Sequence, residues 1–180
     1  MDYKKMKQDD LITFASLALG FGAIMWLYSS GRGSRNSNNN MNTDVKTPRG
    51  YRNNNPLNIR YNAANNWQGK VAQNTDGVFE QFVSMEYGYR AALKLIRNYI
   101  TKDNLFTVTD VISKWAPPTE NNTAGYIQRV IGMNQWTASK VIDPYSKDDM
   151  CDLVYAMAIV ENGNTILPSY TEIYKGWEML

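Results

Sequence analysis

Histidine is absent from the 180-residue chain, and cysteine occurs once, at Cys151. Without an imidazole, the chain cannot build a Ser-His-Asp triad, a Cys-His dyad or a zinc site with a histidine ligand. A single cysteine excludes a disulfide within the chain, and its place in a predicted helix favours a small core residue over a nucleophile. If the chain is an enzyme, carboxylates are its natural acids and bases.

A large excess of charge of either sign is also missing, because the chain has 19 lysines and arginines and 17 acidic residues. The net charge of +2 creates no strong field that would attract nucleic acid, so no nucleic-acid partner is predicted. No cofactor and no metal are expected either.

The chain does contain one long run without charged side chains, at residues 11–28. As a helix this run spans roughly 27 Å, about one hydrocarbon core. Trp26 and Tyr28 lie at one end, as interfacial anchors do. We therefore predict a short N-terminal tail at residues 1–10, a transmembrane helix at 11–28 and a single-pass membrane protein with the lipid bilayer as a partner.

Two alternatives for the apolar run stay open. A cleaved signal peptide is disfavoured by Asp9 and Asp10 directly before the run and by the lack of a clear small-residue cleavage site after it. A buried helix of a soluble protein is disfavoured because no neighbouring segment would cover it. The small polar residues at 29–47 cannot bury apolar surface, which predicts a flexible linker.

Residues 48–180 are predicted to fold as one mainly α domain of the α+β class. Asparagine and glycine crowd residues 50–77, which indicates loops and a small β-hairpin. Apolar periodicity and N-terminal caps then predict five helices. They are a helix at 86–100 after Ser84, a short helix between Thr107 and Trp115, a helix at 123–133 after Asn122, a long helix through 150–163 after Ser146, and a last helix after Ser169.

Glu161 is the first candidate for a catalytic acid. It continues the apolar stripe of Met150, Leu153, Val154 and Met157 and is therefore expected on the inward face of the last helical turn. Burial there, together with the negative end of the helix dipole, would keep the carboxyl group protonated. The alternative is a frayed helix end with the glutamate exposed or paired with an arginine.

Glu86 is the second catalytic candidate, in the first turn of its helix. That position lowers a carboxyl pKa, which suits a base or a cation stabiliser, although an acid there commonly only complements the helix dipole. Glu120 is predicted as a loop or capping residue, with substrate contact as the alternative. Asp76 is most simply a turn residue.

Several short motifs occur in one order along the chain. Residues 49–60 read RGYRNNNPLNIR, and the later motifs are WQG at 67–69, FEQF at 79–82, EYGYRA at 86–91, WAPP at 115–118, ENNT at 120–123 and ENG at 161–163. This series resembles a phage family of lysozyme-like virion proteins, often labelled structural proteins or lytic transglycosylases, over roughly residues 48–165. The resemblance implies cleavage of the linkage between N-acetylmuramic acid and N-acetylglucosamine in peptidoglycan.

A weaker likeness relates residues 59–82 to the β-region of bacterial glucosaminidase domains. In those domains the catalytic glutamate ends a helix that precedes the β-region, whereas only the linker precedes it here. One hypothesis resolves the difference: a circularly permuted lysozyme-like fold, with the last long helix packed beside the loop NNNPLNIR. Glu161 should then lie near Asn58, Tyr61 and Trp67.

Together with the apolar run, the resemblance implies a membrane-anchored lytic transglycosylase or muramidase in the virion membrane of a phage, with glycan strands and other virion proteins as partners. Amide, guanidinium and aromatic groups that suit sugar rings are expected to bind the substrate, together with Glu120. They are Asn55, Asn58, Arg60, Tyr61, Trp67 and Tyr126. Two alternatives remain: a non-catalytic wall-binding protein on the same scaffold, and an architectural membrane protein without glycan affinity.

Overall fold

The computed structural model describes residues 47–180, which form six helices joined by loops. The helices are α1 (Arg49–Arg52), α2 (Met85–Thr101), α3 (Val108–Trp115), α4 (Thr123–Asn134), α5 (Lys147–Asn162) and α6 (Tyr170–Glu178). The predicted tail and transmembrane helix, and nearly all of the linker, lie outside the described residues. Within residues 47–180, no helix combines the length and the hydrophobicity needed to cross a bilayer.

The N-terminal caps explain where the helices begin. Thr107 and Asp110 form a complete capping box at α3, in which each side chain binds the other residue's backbone N–H. The side chains of Asn122, Ser146 and Ser169 each accept a hydrogen bond from the N–H three residues ahead, at α4, α5 and α6. All five predicted helices are therefore confirmed. The short α1 carries no capping signal in the sequence and was not predicted.

Helix α5 forms the centre of the core. Its buried residues occupy almost every position from Met150 to Ile159, so the helix is covered on all sides. Helix α6 packs against both α2 and α5, and α4 also packs against α5. The C-terminal end of α5, where Glu161 lies, is in contact with α1.

The β-hairpin predicted within residues 50–77 is not formed. Across residues 47–180 the antiparallel pairing is limited to isolated bridges, of which Arg60–Phe79 and Lys70–Phe82 join this loop region to the segment that follows it. The physical reason is that the pairing partner lies beyond the predicted region: residues 59–61 and 69–71 each form two backbone hydrogen bonds with residues 78–83. Buried Asn55 supplements this short pairing by donating to the carbonyl groups of Ile59 and Glu80.

Candidate functional site at the end of helix α5

Glu161 lies in the last turn of α5, and its carboxylate is held by three hydrogen-bond donors. Asn58 Nδ2 donates to Oε2 over 3.1 Å. Trp115 Nε1 and the Tyr126 hydroxyl each donate to Oε1, also over 3.1 Å. The packing that the permutation hypothesis required between the last long helix and the NNNPLNIR loop is therefore present.

The loop that carries Asn58 depends on asparagine. Asn54 and Asn58 adopt the left-handed conformation, with φ of 49° and 51°, which asparagine tolerates better than most residues. Asn162 Nδ2 donates to the Pro56 carbonyl over 2.6 Å and so ties the same loop to the end of α5. A Cβ on Gly50 would collide with Asn162 Oδ1, so α1 can approach the helix end this closely only with glycine.

Trp115 and Tyr126 bind the other carboxylate oxygen, Oε1. Trp115 is the last residue of α3, and Tyr126 lies in the first turn of α4. The Thr123 hydroxyl binds the Ala116 carbonyl and fixes the connection between the two helices. Since Tyr126 is buried, its hydroxyl has little freedom to leave Glu161.

The surroundings of Glu161 favour the neutral acid. Burial raises the pKa of Glu161, while the hydrogen bonds from Asn58, Tyr126 and Trp115 act in the opposite direction without cancelling the effect. No lysine or arginine within residues 47–180 forms an ion pair with it. The alternatives of an exposed or arginine-paired glutamate are thus not what the structure shows.

The two carboxylate oxygens differ in their contacts. Oε1 accepts from two donors, whereas Oε2 accepts from Asn58 alone. A proton on Oε1 would oppose two N–H or O–H groups, so the acidic proton belongs on Oε2. Asn58 Oδ1 is buried and has no partner within residues 47–180. Turning that amide over would let it accept from a protonated Oε2.

Glu86, the second predicted catalytic residue, lies in the first turn of α2 and takes no part in this network. It forms an ion pair with Lys175 of α6 at 3.5 Å. A hydrogen bond from Ser84 and the helix backbone lower its pKa, and the charge of Lys175 adds to the effect. Its surroundings therefore favour the ionised form.

Asp76 is also committed elsewhere. Arg49 donates two hydrogen bonds of 2.6 and 2.7 Å to the Asp76 carboxylate, and Asn53 donates a third over 2.8 Å. Burial alone would raise the pKa of Asp76, but these bonds and the N–H groups of Val78 and Phe79 hold it well below its usual value. The predicted role as a turn residue agrees with this geometry.

The remaining predicted substrate-binding residues lie in different places. Asn55 has no exposed surface, so a ligand cannot reach its amide and its role is to hold the loop. Arg60 and Glu120 form an exposed ion pair of 3.3 Å. Tyr61 lies under the Lys70 ammonium group, 4.7 Å from the ring centre.

Trp67 lies in a surface pocket with Arg90 and Lys94, and it makes none of the hydrogen bonds to Glu161. Of the residues predicted to bind substrate, only Asn58 and Tyr126 bind the Glu161 carboxylate directly. The sequence analysis did not select Trp115 as a site residue, although the WAPP motif marked its position.

No group of three or more cysteine and acidic side chains within residues 47–180 is placed to hold a metal ion. The chemistry that this arrangement offers is that of one desolvated carboxylic acid. Its neutral form can donate a proton, and its ionised form can take one back.

Comparison with known proteins shows that the chain is similar to a phage protein. The chain is 33% identical over 132 residues to Protein P5 of Pseudoalteromonas phage PM2, an alignment that covers 72% of this chain and 80% of the phage protein. No protein-family model matches the chain.

Proposed function

Since the chain belongs to the family of Protein P5 of Pseudoalteromonas phage PM2, we propose that it is a phage particle protein that cleaves the glycan backbone of peptidoglycan. The observation that carries this proposal is the Glu161 carboxyl group. It is desolvated, has no cationic partner among the described residues, and is held in one orientation by three donors. A general acid for glycoside cleavage needs these properties.

In the proposed reaction, Glu161 transfers the proton on Oε2 to the bridging oxygen between N-acetylmuramic acid and N-acetylglucosamine. The bond from the muramic C1 atom to that oxygen breaks, and positive charge develops at C1. The ionised Glu161 is left hydrogen-bonded by Asn58, Trp115 and Tyr126, which stabilise the new negative charge.

The second half of the reaction separates a transglycosylase from a hydrolase. A hydrolase would need a second carboxylate, but Asp76 and Glu86 are bound to Arg49 and Lys175 respectively. We therefore favour attack by the sugar's own 6-hydroxyl group on C1, with its proton returning to Glu161. The product is a 1,6-anhydro-muramic end, as a lytic transglycosylase makes it.

The protein would also lie in the virion membrane. Residues 11–28 would span the bilayer and residues 29–47 would let the catalytic domain reach the cell wall, with other virion proteins as neighbours.

The second candidate is a wall-binding or structural virion protein without activity. It is favoured by the same observation seen differently: a carboxylate with three intramolecular donors can serve solely to join α3, α4 and α5 to the loop at Asn58.

Incubation of the full chain with purified sacculi distinguishes the candidates. We expect soluble fragments with anhydro-muramic ends, identified by mass spectrometry, and none from Glu161→Gln. Fragments with reducing ends would show that the reaction is hydrolysis and not transglycosylation. Sedimentation with sacculi without any release of fragments would support the wall-binding candidate. If the chain neither sediments with sacculi nor releases fragments, both candidates are refuted.

A further inference from the structure

A surface pocket of about 270 Å³ lies between the loop at residues 64–68 and one face of α2. Arg90 and Lys94 line it from the helix, and the ring of Trp67 lines it from the loop. It shares no lining residue with the group that binds Glu161.

The charge in this pocket is uncompensated. Arg90 and Lys94 lie one helical turn apart on the same face, where like charges repel each other. No acidic residue lines the pocket, and neither cation forms an ion pair within residues 47–180. Arg90 donates its Nε hydrogen to the neutral Met179 carbonyl over 3.0 Å. A bound anion would relieve this repulsion.

The wall opposite the helix is polar and held in place. Asn66 and Gln68 contribute amide side chains, which can both donate and accept hydrogen bonds. Lys70 fixes the loop by donating to the Asn65 carbonyl over 3.1 Å and by pairing with the fully buried Glu80 at 3.1 Å. The pocket therefore combines two cations, peptide-like amides and an aromatic wall in a preformed shape.

We propose that this pocket binds a carboxylate group of a short acidic peptide, the class of peptide that muramic acid carries in peptidoglycan. This inference rests on the proposed function, since it assigns a second contact with the same substrate. Ala64 follows Asn58 by six positions, so the Cα atoms of these two residues lie at most about 22 Å apart. A stem of four or five residues extends over about 15 Å, which is comparable.

Calorimetric measurement of the binding of a free stem tetrapeptide to the full chain tests the pocket without any need for catalysis. We expect measurable binding to the wild type, at least tenfold weaker binding to Lys94→Glu, and retained binding in Lys94→Arg. Lys102→Glu is the matched control. It makes the same change in charge, and Lys102 is an exposed lysine at the C-terminal end of the same helix.

The proposal would be overturned by no binding to the wild type, by equally tight binding of a tetrapeptide with amidated carboxyl groups, or by equal weakening in Lys102→Glu. Inorganic phosphate, measured in the same way, tests whether the pocket binds anions other than a peptide carboxylate. If it binds as tightly as the peptide, the pocket is a general anion site and the assignment to the peptide is wrong.

Glycan strands with and without their peptide stems separate this inference from the proposed function. Lys94→Glu should raise KM about tenfold on strands that carry stems and leave KM unchanged on stripped strands. If the wild type cleaves neither substrate but binds the tetrapeptide, the proposed function fails and the pocket stands. If it cleaves both and KM never responds to Lys94→Glu, the pocket fails alone.

Discussion

The C-terminal end of α5 and the N-terminal end of α2 each present a glutamate, but the two environments are opposite. Glu161 is desolvated and bound only by neutral donors, so its pKa is raised. Glu86 lies beside Ser84, free backbone N–H groups and the Lys175 ammonium, so its pKa is lowered.

The difference shows what decides the protonation state of an acid on a helix. Neutral donors stabilise an ionised carboxylate less than full solvation or a cation does, so Glu161 keeps its proton more readily. At the first turn of α2, the N–H groups that have no partner within the helix add to a cationic neighbour. An acid for glycoside cleavage belongs in the first environment.

Exchange of each glutamate for glutamine should give the largest contrast. We expect Glu161→Gln to lower the rate of fragment release from sacculi about 10²–10⁴-fold, the usual contribution of a positioned general acid. Glu86→Gln should stay within about threefold of the wild type, because the residue is bound to Lys175 rather than to the Glu161 network. Rates of muropeptide release measure both.

Equal loss of activity in the two variants would remove the distinction between the sites, and thermal unfolding of both must first show that they remain folded. Activity in Glu161→Gln comparable to the wild type would identify another residue as the acid.

The second expected effect concerns the donor Tyr126. Its hydrogen bond lowers the pKa of Glu161, so Tyr126→Phe should raise that pKa and move the alkaline limb of the pH–activity profile to higher pH. One lost hydrogen bond of about 1 kcal/mol corresponds to roughly a fivefold lower rate on the plateau.

Tyr99→Phe is the matched control for Tyr126→Phe. The Tyr99 ring packs edge-on against Trp115 at 6.4 Å but donates nothing to Glu161. A limb that moves equally in both variants, or that moves to lower pH in Tyr126→Phe, would contradict the assignment of Glu161 as the titrating acid.

Much of the architecture followed from local patterns. The caps at Thr107, Asn122, Ser146 and Ser169 act within three residues, so the sequence predicts the starts of the helices. The inward direction of Glu161 followed from helical periodicity along α5. These features depend on neighbours in the chain and need no knowledge of the fold.

The composition of the site was less predictable because its contacts join distant segments. Asn58 and Glu161 are 103 positions apart, and no local pattern states which of the many asparagines meets the acid. Asn55 was expected to bind substrate, yet it is buried and serves the backbone of its own loop. The predicted hairpin is absent for a related reason, because residues 59–61 and 69–71 pair with residues 78–83, which follow the predicted region.

The smallest expected effect is on stability, and it has opposite signs at the two glutamates. The raised pKa of Glu161 means that its contribution is fully present below the pKa of the unfolded chain and is lost as pH rises through the folded value. The lowered pKa of Glu86 means that its contribution is present above the unfolded value and is lost as pH falls. As the pH rises from 4 to 7, Glu161→Gln should therefore become more stable relative to the wild type, whereas Glu86→Gln should become less stable relative to the wild type.

Calorimetric melting temperatures of the wild type and the two variants across this pH range measure the effect. One unit of pKa corresponds to about 1.4 kcal/mol, and 1 kcal/mol moves the melting temperature of a domain of this size by roughly 4 °C. Opposite slopes of a few degrees would show that the carboxyl group proposed as the acid costs stability near neutral pH, as functional groups in desolvated sites commonly do. Parallel slopes would mean that Glu161 is solvated in the folded state, and a solvated carboxyl group could not supply the proton that the proposed cleavage needs.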